Sequence, residues 1–499
     1  MALLSPPAQK TGDAAVDEAQ HDRRTGSVAL WLWPSVVTLA VAMYRIGAPL
    51  LGRDELTSWD VAGRSIGQVV ATMQRVDGVL GAYYLILHGW MTVFGDSDMA
   101  LRMPSALAMA GTAACVALTG KRLFGRRAGL TGGLLFALIP AVSRFAHEAR
   151  PYALVMLAVA LTALLLLRAL DQPDSWQRWG LYALGVAAVG LLHLIALTCL
   201  IGHLVLVVLR ARHERRVLWG FCLMVFAGVA GVGPVVVLGR AQTGRQTSWI
   251  AEPGAWGLVD IWSQLFYSGL CAGAVILLAM VACGRRREAV LFCAASAMLP
   301  PLVIWALSHG EISYFYFRYM LFTLPAFAVL AGAGLDAGAR SRRALVPALL
   351  VLGLLTLPDQ NSLRQPLAHY WTGGPDYAAA ARTIKRLYAP GDAIVYDRNE
   401  EAGMFALGVR RYLPRELKMR DVFLSESAAQ RNDLLSTDCP KADKCVGREK
   451  RIWVVVMGKQ LDPLDALPQD QAQALRAHYT ETGADRPTGL TVGLLVRKP

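Results

Sequence analysis

A chain of 499 residues that is 55% hydrophobic and only 17% charged, with a mean hydropathy of +0.38, is too apolar for a soluble enzyme. Its net charge of +13 does not call for nucleic acid. The first 358 residues carry 29 basic against 19 acidic residues and the remainder 21 against 18, so most of the excess lies in the apolar part.

Residues 1–27 are polar and mixed in charge, and are expected to form a disordered cytoplasmic tail. About eleven apolar runs follow, near 28–47, 104–120, 128–143, 152–168, 178–191, 194–210, 217–239, 264–283, 289–307, 319–335 and 344–358. The expected fold is therefore an α-helical polytopic membrane protein with about eleven transmembrane helices. The fifth and sixth runs are separated only by His193 and read as a helical hairpin.

The long first loop, residues 48–103, concentrates ionisable groups beside the membrane. Such groups are costly there unless solvated, paired or used. Arg53, Asp54 and Glu55 open it; Asp77, Tyr83, Tyr84 and His88 follow; Asp96, Asp98 and Arg102 close it. Its two halves, residues 56–73 and 83–94, each read as one surface helix, hinged near Asp77 and Gly78. A second cluster, SRFAHEARPYAL, holds Arg144, His147, Glu148, Arg150 and Tyr152. A third, SHGEISYFYFRYM, holds Glu311 and Arg318. Bland roles compete: Asp54 and Glu55 can cap a helix or pair with Arg53, Glu148 can form a structural ion pair with Arg150, and Arg318 can reach for headgroups.

With the N-terminus inside, the inside segments hold 19 basic residues and the short outside loops hold five, which orients the chain. All three clusters then face outside. Residues 359–499 would also lie there, as a small α/β domain built from GDAIVYD, KRIWVVVMG and GLTVGLLVRK strands. Cys439 and Cys445 in CPKADKC are expected to pair in that oxidising compartment. No His/Cys/Asp/Glu spacing suggests a metal site.

Five segments in order, namely the Asp54–Glu55 pair, YYLILHGWMTVFGDSDMALRMPSALA, KRLFGRRAG, HEARPYAL and RYMLFTLPAFAVLAG, resemble the bacterial GT-C polyprenyl-phosphate-dependent glycosyltransferases related to the protein O-mannosyltransferases. The resemblance spans about 28–358. Many members carry Pro-Pro before the Tyr-Tyr pair, where this chain has Val79 to Ala82.

The resemblance implies transfer of a mannose- or arabinose-like sugar from a polyprenyl-phosphate donor, by inverting displacement, to a lipid, polysaccharide or protein acceptor at the plasma membrane. Asp54 and Glu55 match the catalytic acidic positions. Asp77, Arg102, Glu148, Arg150 and Arg318 are the candidate substrate-binding residues, the arginines meeting the phosphate charge. No cofactor is expected, although a divalent cation bridging Asp54 and phosphate stays open. The rival reading is a transporter or flippase of lipid-linked glycans, which would favour mid-span charges and internal repeats.

Overall fold

The structure is a computed structural model describing residues 28–339, 341–368, 374–398 and 405–499. The expected amino-terminal tail lies outside the described residues. The chain starts with α1 (Val28–Met43) and enters the first loop through α2 (Arg53–Ala62) and α3 (Ile66–Thr72). The expected single helix over 56–73 is thus two. Gly63 ends α2, and Ser65 starts α3 by accepting from the Gln68 amide at 3.4 Å while Gln68 Oε1 accepts from the Ser65 amide at 3.2 Å. A π-turn, Met73–Asp77, and a 3₁₀ turn, Gly78–Leu80, form the expected hinge before α4 (Gly81–Phe94).

The bundle continues through α5 (Asp98–Phe124), α6 (Arg126–Leu138), α7 (Pro140–Ala146), α8 (Tyr152–Asp171), α9 (Trp176–Leu192) and α10 (Leu200–Ala211). It is completed by α11 (Arg216–Ala230), α12 (Gly233–Gln246), α13 (Gly257–Phe266), α14 (Gly269–Val281), α15 (Arg287–Leu307), α16 (Leu324–Gly338) and α17 (Arg342–Ser362). Among the described residues, six helical segments are long and apolar enough to cross a membrane, or up to nine if each bent pair is one span. The expected count of eleven is not confirmed. α1 and the 17-residue α9 are short, and three expected spans are bent, by 63° between α6 and α7, 56° between α11 and α12, and 99° between α13 and α14. The first bend has a plain cause: Pro140 starts a new helix and biases Ile139 to its extended conformation.

Small residues let α6 sit deep between its neighbours. A Cβ on Gly129 would lie 2.3 Å from the Ala117 carbonyl oxygen of α5, and one on Gly332 of α16 would lie 2.4 Å from the Gly132 amide. Close backbone approach of this kind favours helix association where lipid supplies no hydrophobic drive.

The last part is a sheet with helices, as expected. After α18 (Tyr377–Leu387) come β1 (Ala393–Tyr396), α19 (Phe405–Tyr412), β2 (Arg420–Asp421), β3 (Leu424–Glu426), β4 (Thr437–Asp438), β5 (Arg451–Met457), β6 (Tyr479–Asp485) and β7 (Leu490–Arg497). The main sheet runs β2-β1-β5-β7-β6, with β1 parallel to β2 and β5, and β7 antiparallel to β5 and β6. Cys439 and Cys445 are joined in a disulfide, Cα atoms 6.6 Å apart.

Strand alternation gives the sheet two different faces. Ala393, Val395, Ile452, Val454 and Val456 pack among the domain's own residues, including Leu475 and Tyr479. Ile394, Tyr396, Trp453 and Val455 share a core with Leu51, Leu56, Val69, Tyr83 and Tyr84 of the first loop. Polar clamps reinforce this contact: Arg411 donates to Asp98 at 2.6 Å and to the Asp96 carbonyl at 2.6 Å, and Arg64 donates to the Asp433 carbonyl at 2.9 Å. The Leu51 amide donates to the Tyr412 hydroxyl at 2.9 Å. The first loop is therefore held between the bundle and the sheet.

Candidate active site

The chain leaves α1 and turns into α2 at Gly52, so the first turn of α2 carries Asp54 and Glu55. Neighbouring helical residues point about 100° apart, and these two carboxylates face different surroundings. Glu55 is 1% exposed. It accepts from the Gly52 amide at 3.0 Å, the Ala149 amide at 3.0 Å, and Arg102 Nε and Nη2 at 2.8 Å each. Arg102 spends its other donors on the carbonyls of Ile46 and Pro49, each at 2.8 Å, and Leu50 at 3.3 Å.

This fork-to-fork pair ties the end of α1, the start of α2, α5 and the α7–α8 connection together. The expectation that Arg102 meets a donor phosphate is corrected here: its guanidinium is fully buried and all five of its N–H groups are engaged. Glu55 likewise stands in the packed interior rather than where an acceptor could reach it.

Asp54 faces the other way. Its carboxylate accepts from Arg318 Nη1 at 2.6 Å and keeps 34% of its side chain exposed. Arg318 arrives on the 3₁₀ stretch Phe317–Thr323, which runs into α16. Its guanidinium lies 4.9 Å from the Tyr316 ring centroid, 5.8 Å from Tyr152 and 5.9 Å from Trp249. These aromatic neighbours went unassigned in the sequence, although YFYFRYM shows the tyrosines flanking the arginine.

Arg150, just before α8, completes the positive side. It makes no side-chain hydrogen bond or ion pair among the described residues, and its Nε is buried without a partner. Its charge acts on both Asp54 and Asp77. Burial works to raise the Asp54 carboxyl, but Arg150 and Arg318 outweigh it and hold the group below the ordinary carboxylate range. Asp54 is therefore ionised at neutral pH.

Asp77 ends the π-turn, a geometry often found at functional sites. Buried, it accepts from the Tyr84 hydroxyl at 2.5 Å, and burial pushes its carboxyl above the usual range despite Arg150. Gln242 of α12 clamps this turn: its Oε1 accepts from the Gly78 amide at 2.7 Å and its Nε2 donates to the Met73 carbonyl at 3.0 Å. Nothing in the sequence near Gln242 signals that role.

Glu148 pairs with Arg144 at 3.3 Å, both nearly buried, and burial raises its carboxyl against the pull of Arg144 and Arg318. The structure thus brings Asp54, Asp77, Arg150 and Arg318 into one electrostatic neighbourhood, with Glu148 at its edge. Glu55 and Arg102 form a separate knot beneath it. Among the described residues, no group of three or more His, Cys, Asp or Glu side chains is placed to hold a metal.

Residues 81–237 match the family model described as dolichyl-phosphate-mannose-protein mannosyltransferase. No curated protein sequence matches the chain. Among solved structures, ArnT from Cupriavidus metallidurans bound to undecaprenyl phosphate superimposes with a TM-score of 0.61 at 14% identity, covering 94% of this chain and 98% of that one. Its apo state gives 0.61, 14%, 95% and 98%. The Archaeoglobus fulgidus oligosaccharyltransferase in complex with zinc and sulfate is more distant, at TM-score 0.48 and 10% identity, covering 92% and 72%. The chain therefore shares the fold of ArnT, and its residues 81–237 are similar to the dolichyl-phosphate-mannose-protein mannosyltransferase family.

Proposed function

We propose that the protein is an integral-membrane glycosyltransferase that moves a sugar from a polyprenyl-phosphate donor to an acceptor on the outer face of the plasma membrane, by inverting displacement. The observation that carries this reading is the Asp54–Arg318 pair beside a half-buried Arg150, which has no ion-pair partner among the described residues and whose Nε is buried. An anionic ligand would satisfy Arg150 and compete for Arg318. The donor is argued to be a mannose- or arabinose-like lipid phosphate, and the acceptor a lipid, polysaccharide or protein.

In this reading, the donor phosphate takes bidentate contacts from Arg150 and Arg318. Drawing Arg318 away from Asp54 frees that carboxylate and raises its basicity. Asp54 then takes the acceptor hydroxyl proton as the acceptor oxygen bonds to the anomeric carbon. On the opposite side the sugar–phosphate bond breaks, and polyprenyl phosphate leaves with the electron pair, its charge met by the two arginines. One base suffices, because no glycosyl-enzyme intermediate forms. Asp77 and Glu148 would line the donor site and limit how many anions it tolerates. The amino terminus is placed in the cytoplasm and the sheet domain outside, on the bias of basic residues.

The test supplies the reconstituted protein with mannosyl- and arabinosyl-phosphoryl polyprenol and an envelope extract, and follows release of free polyprenyl phosphate. Protein-dependent release is the expected result. Movement of intact lipid-linked sugar between leaflets without cleavage would replace the transferase with a flippase.

A further inference from the structure

Beside the Asp54–Arg318 pair stands a group of rings that the reaction scheme leaves unused. Tyr152, at the start of α8, lies under the Arg318 guanidinium. Its ring centroid is 6.1 Å from that of His193 and 6.5 Å from that of Tyr319, while His193 and Tyr319 are 5.1 Å apart. His193 occupies the break between α9 and the apolar segment Leu194–Ala211, in extended backbone with φ −165° and ψ 110°. That break is the point where a hairpin was expected, and it turns the imidazole toward α8 and the 3₁₀ stretch.

Among the described residues, the polar tips of the three rings are unpaired, and one of them, His193 Nδ1, is buried. The hydroxyls of Tyr152 and Tyr319 and both ring nitrogens of His193 make no hydrogen bond among these residues. The neighbouring tyrosines Tyr84 and Tyr182 are different, donating to Asp77 and meeting His203. Buried polar tips are nearly always satisfied, and exceptions gather where a ligand supplies the missing partner. The charge of Arg150 also reaches the His193 ring. The triad therefore adjoins both arginines.

Aromatic faces with unpaired hydrogen-bonding tips fit a sugar, which offers apolar C–H faces and a rim of hydroxyls. A bare phosphate would need cations instead, and the acyl carrier would need no polar tips. We propose that Tyr152, His193 and Tyr319 form the subsite for the transferred sugar, with the half-buried imidazole hydrogen-bonding one of its hydroxyls and so setting which sugar is accepted. This rests on the transferase reading above, and it names the part of the site that discriminates among donors.

The full-length protein in detergent is titrated with bare undecaprenyl phosphate and with its mannosyl and arabinosyl forms, following tryptophan fluorescence. The wild type is expected to bind at least one sugar-loaded form more tightly than the bare carrier. His193→Leu should lose that preference, by roughly tenfold for one hydrogen bond of ordinary strength, and leave bare-carrier affinity unchanged. His193→Gln, which keeps an amide near the Nε2 position, should recover part of it.

Equal weakening of bare and loaded carriers by His193→Leu, with no recovery in His193→Gln, would overturn the proposal in favour of packing or phosphate contact. A wild type that binds the carrier with no preference for any sugar would overturn the triad proposal alone. A wild type that binds neither form would overturn the transferase reading with it.

Discussion

Adjacent carboxylates can have opposite duties when a helix points them apart, and Asp54 and Glu55 are such a pair. Glu55 and Arg102 form a buried ion pair in which all five N–H groups of the guanidinium are engaged. Breaking such a pair is costly, because it strands a charge away from water, by about 3–5 kcal/mol. Arg102→Met should therefore lower the thermal stability and yield of detergent-solubilised protein far more than Arg318→Ala, as read by size exclusion after a temperature ramp. Arg102→Lys should fare little better, since an ammonium cannot supply five N–H groups in a plane.

Arg318 belongs to the opposite case. Arg318→Ala should weaken donor use by roughly ten- to a hundredfold, on the scale of one charge-assisted contact. Arg318→Lys should lose less, because it keeps the charge but not the fork, and donor titrations of initial rate check both. Equal, negligible losses would leave Arg318 to its aromatic neighbours and membrane anchoring. Residue types and order along the chain reveal that this stretch is charged for a reason. They cannot separate Asp54 from Glu55, or Arg102 from Arg318, because side-chain direction and the partners folded against each group decide that.

At the scale of elements, the sheet domain is a brace for the loop that carries Asp54. Arg411, 11% exposed, holds Asp98 and the Asp96 carbonyl, and Tyr412 meets the loop backbone at Leu51. Arg411→Ala should increase amide exchange over residues 53–80 by about tenfold or more, matching loss of one or two charged hydrogen bonds. Unchanged exchange there would detach the domain from the loop's rigidity.

Within the domain, Asp421 and Asp438 share the single guanidinium of Arg398. Burial, only partly offset by Arg398, pushes the Asp421 carboxyl up to about 6. A carboxyl raised on folding adds stability below its unfolded value near 3.8, and that stability is lost as pH rises through about 6. Asp421→Asn should accordingly raise the unfolding temperature by a few degrees at pH 7.5, with the gain shrinking toward pH 5. Thermal scans at the two pH values measure it. The strands were readable from short β-branched runs. The α2–α3 break was not foreseen, although the Ser65 and Gln68 spacing that caps α3 is present in the sequence. The π-turn was not readable, because Gln242, 164 residues from Gly78, fixes it through tertiary contact.

For the whole molecule, hydropathy identified the apolar runs but not which of them are continuous. Apolar content is summed over a window, whereas a span also needs an unbroken helix. Bends at Ile139–Pro140 and near Gly231, and the left-handed Tyr267 with φ 56° between α13 and α14, divide runs that look uniform by composition. The α6–α7 bend delivers Glu148 and Arg150 to the same end as Asp54, and the α11–α12 bend brings Gln242 against the hinge of the first loop.

In the proposed reaction, this end of the bundle transfers sugar from a lipid phosphate with Asp54 as base. Asp54→Asn keeps the size of the side chain and removes the proton acceptor, so the rate should fall about 10²–10⁴-fold. Protein yield and donor affinity should stay close to wild type, because a partly exposed carboxylate contributes little to folding. The deciding measurement is sugar transfer from a defined polyprenyl-phosphate donor by wild type, Asp54→Asn and Glu55→Gln, at matched amounts of folded protein. Asp54→Asn should be nearly inactive, while folded Glu55→Gln should retain most of its turnover. Near-normal transfer by Asp54→Asn, or a loss confined to Glu55→Gln, would contradict the proposed reaction.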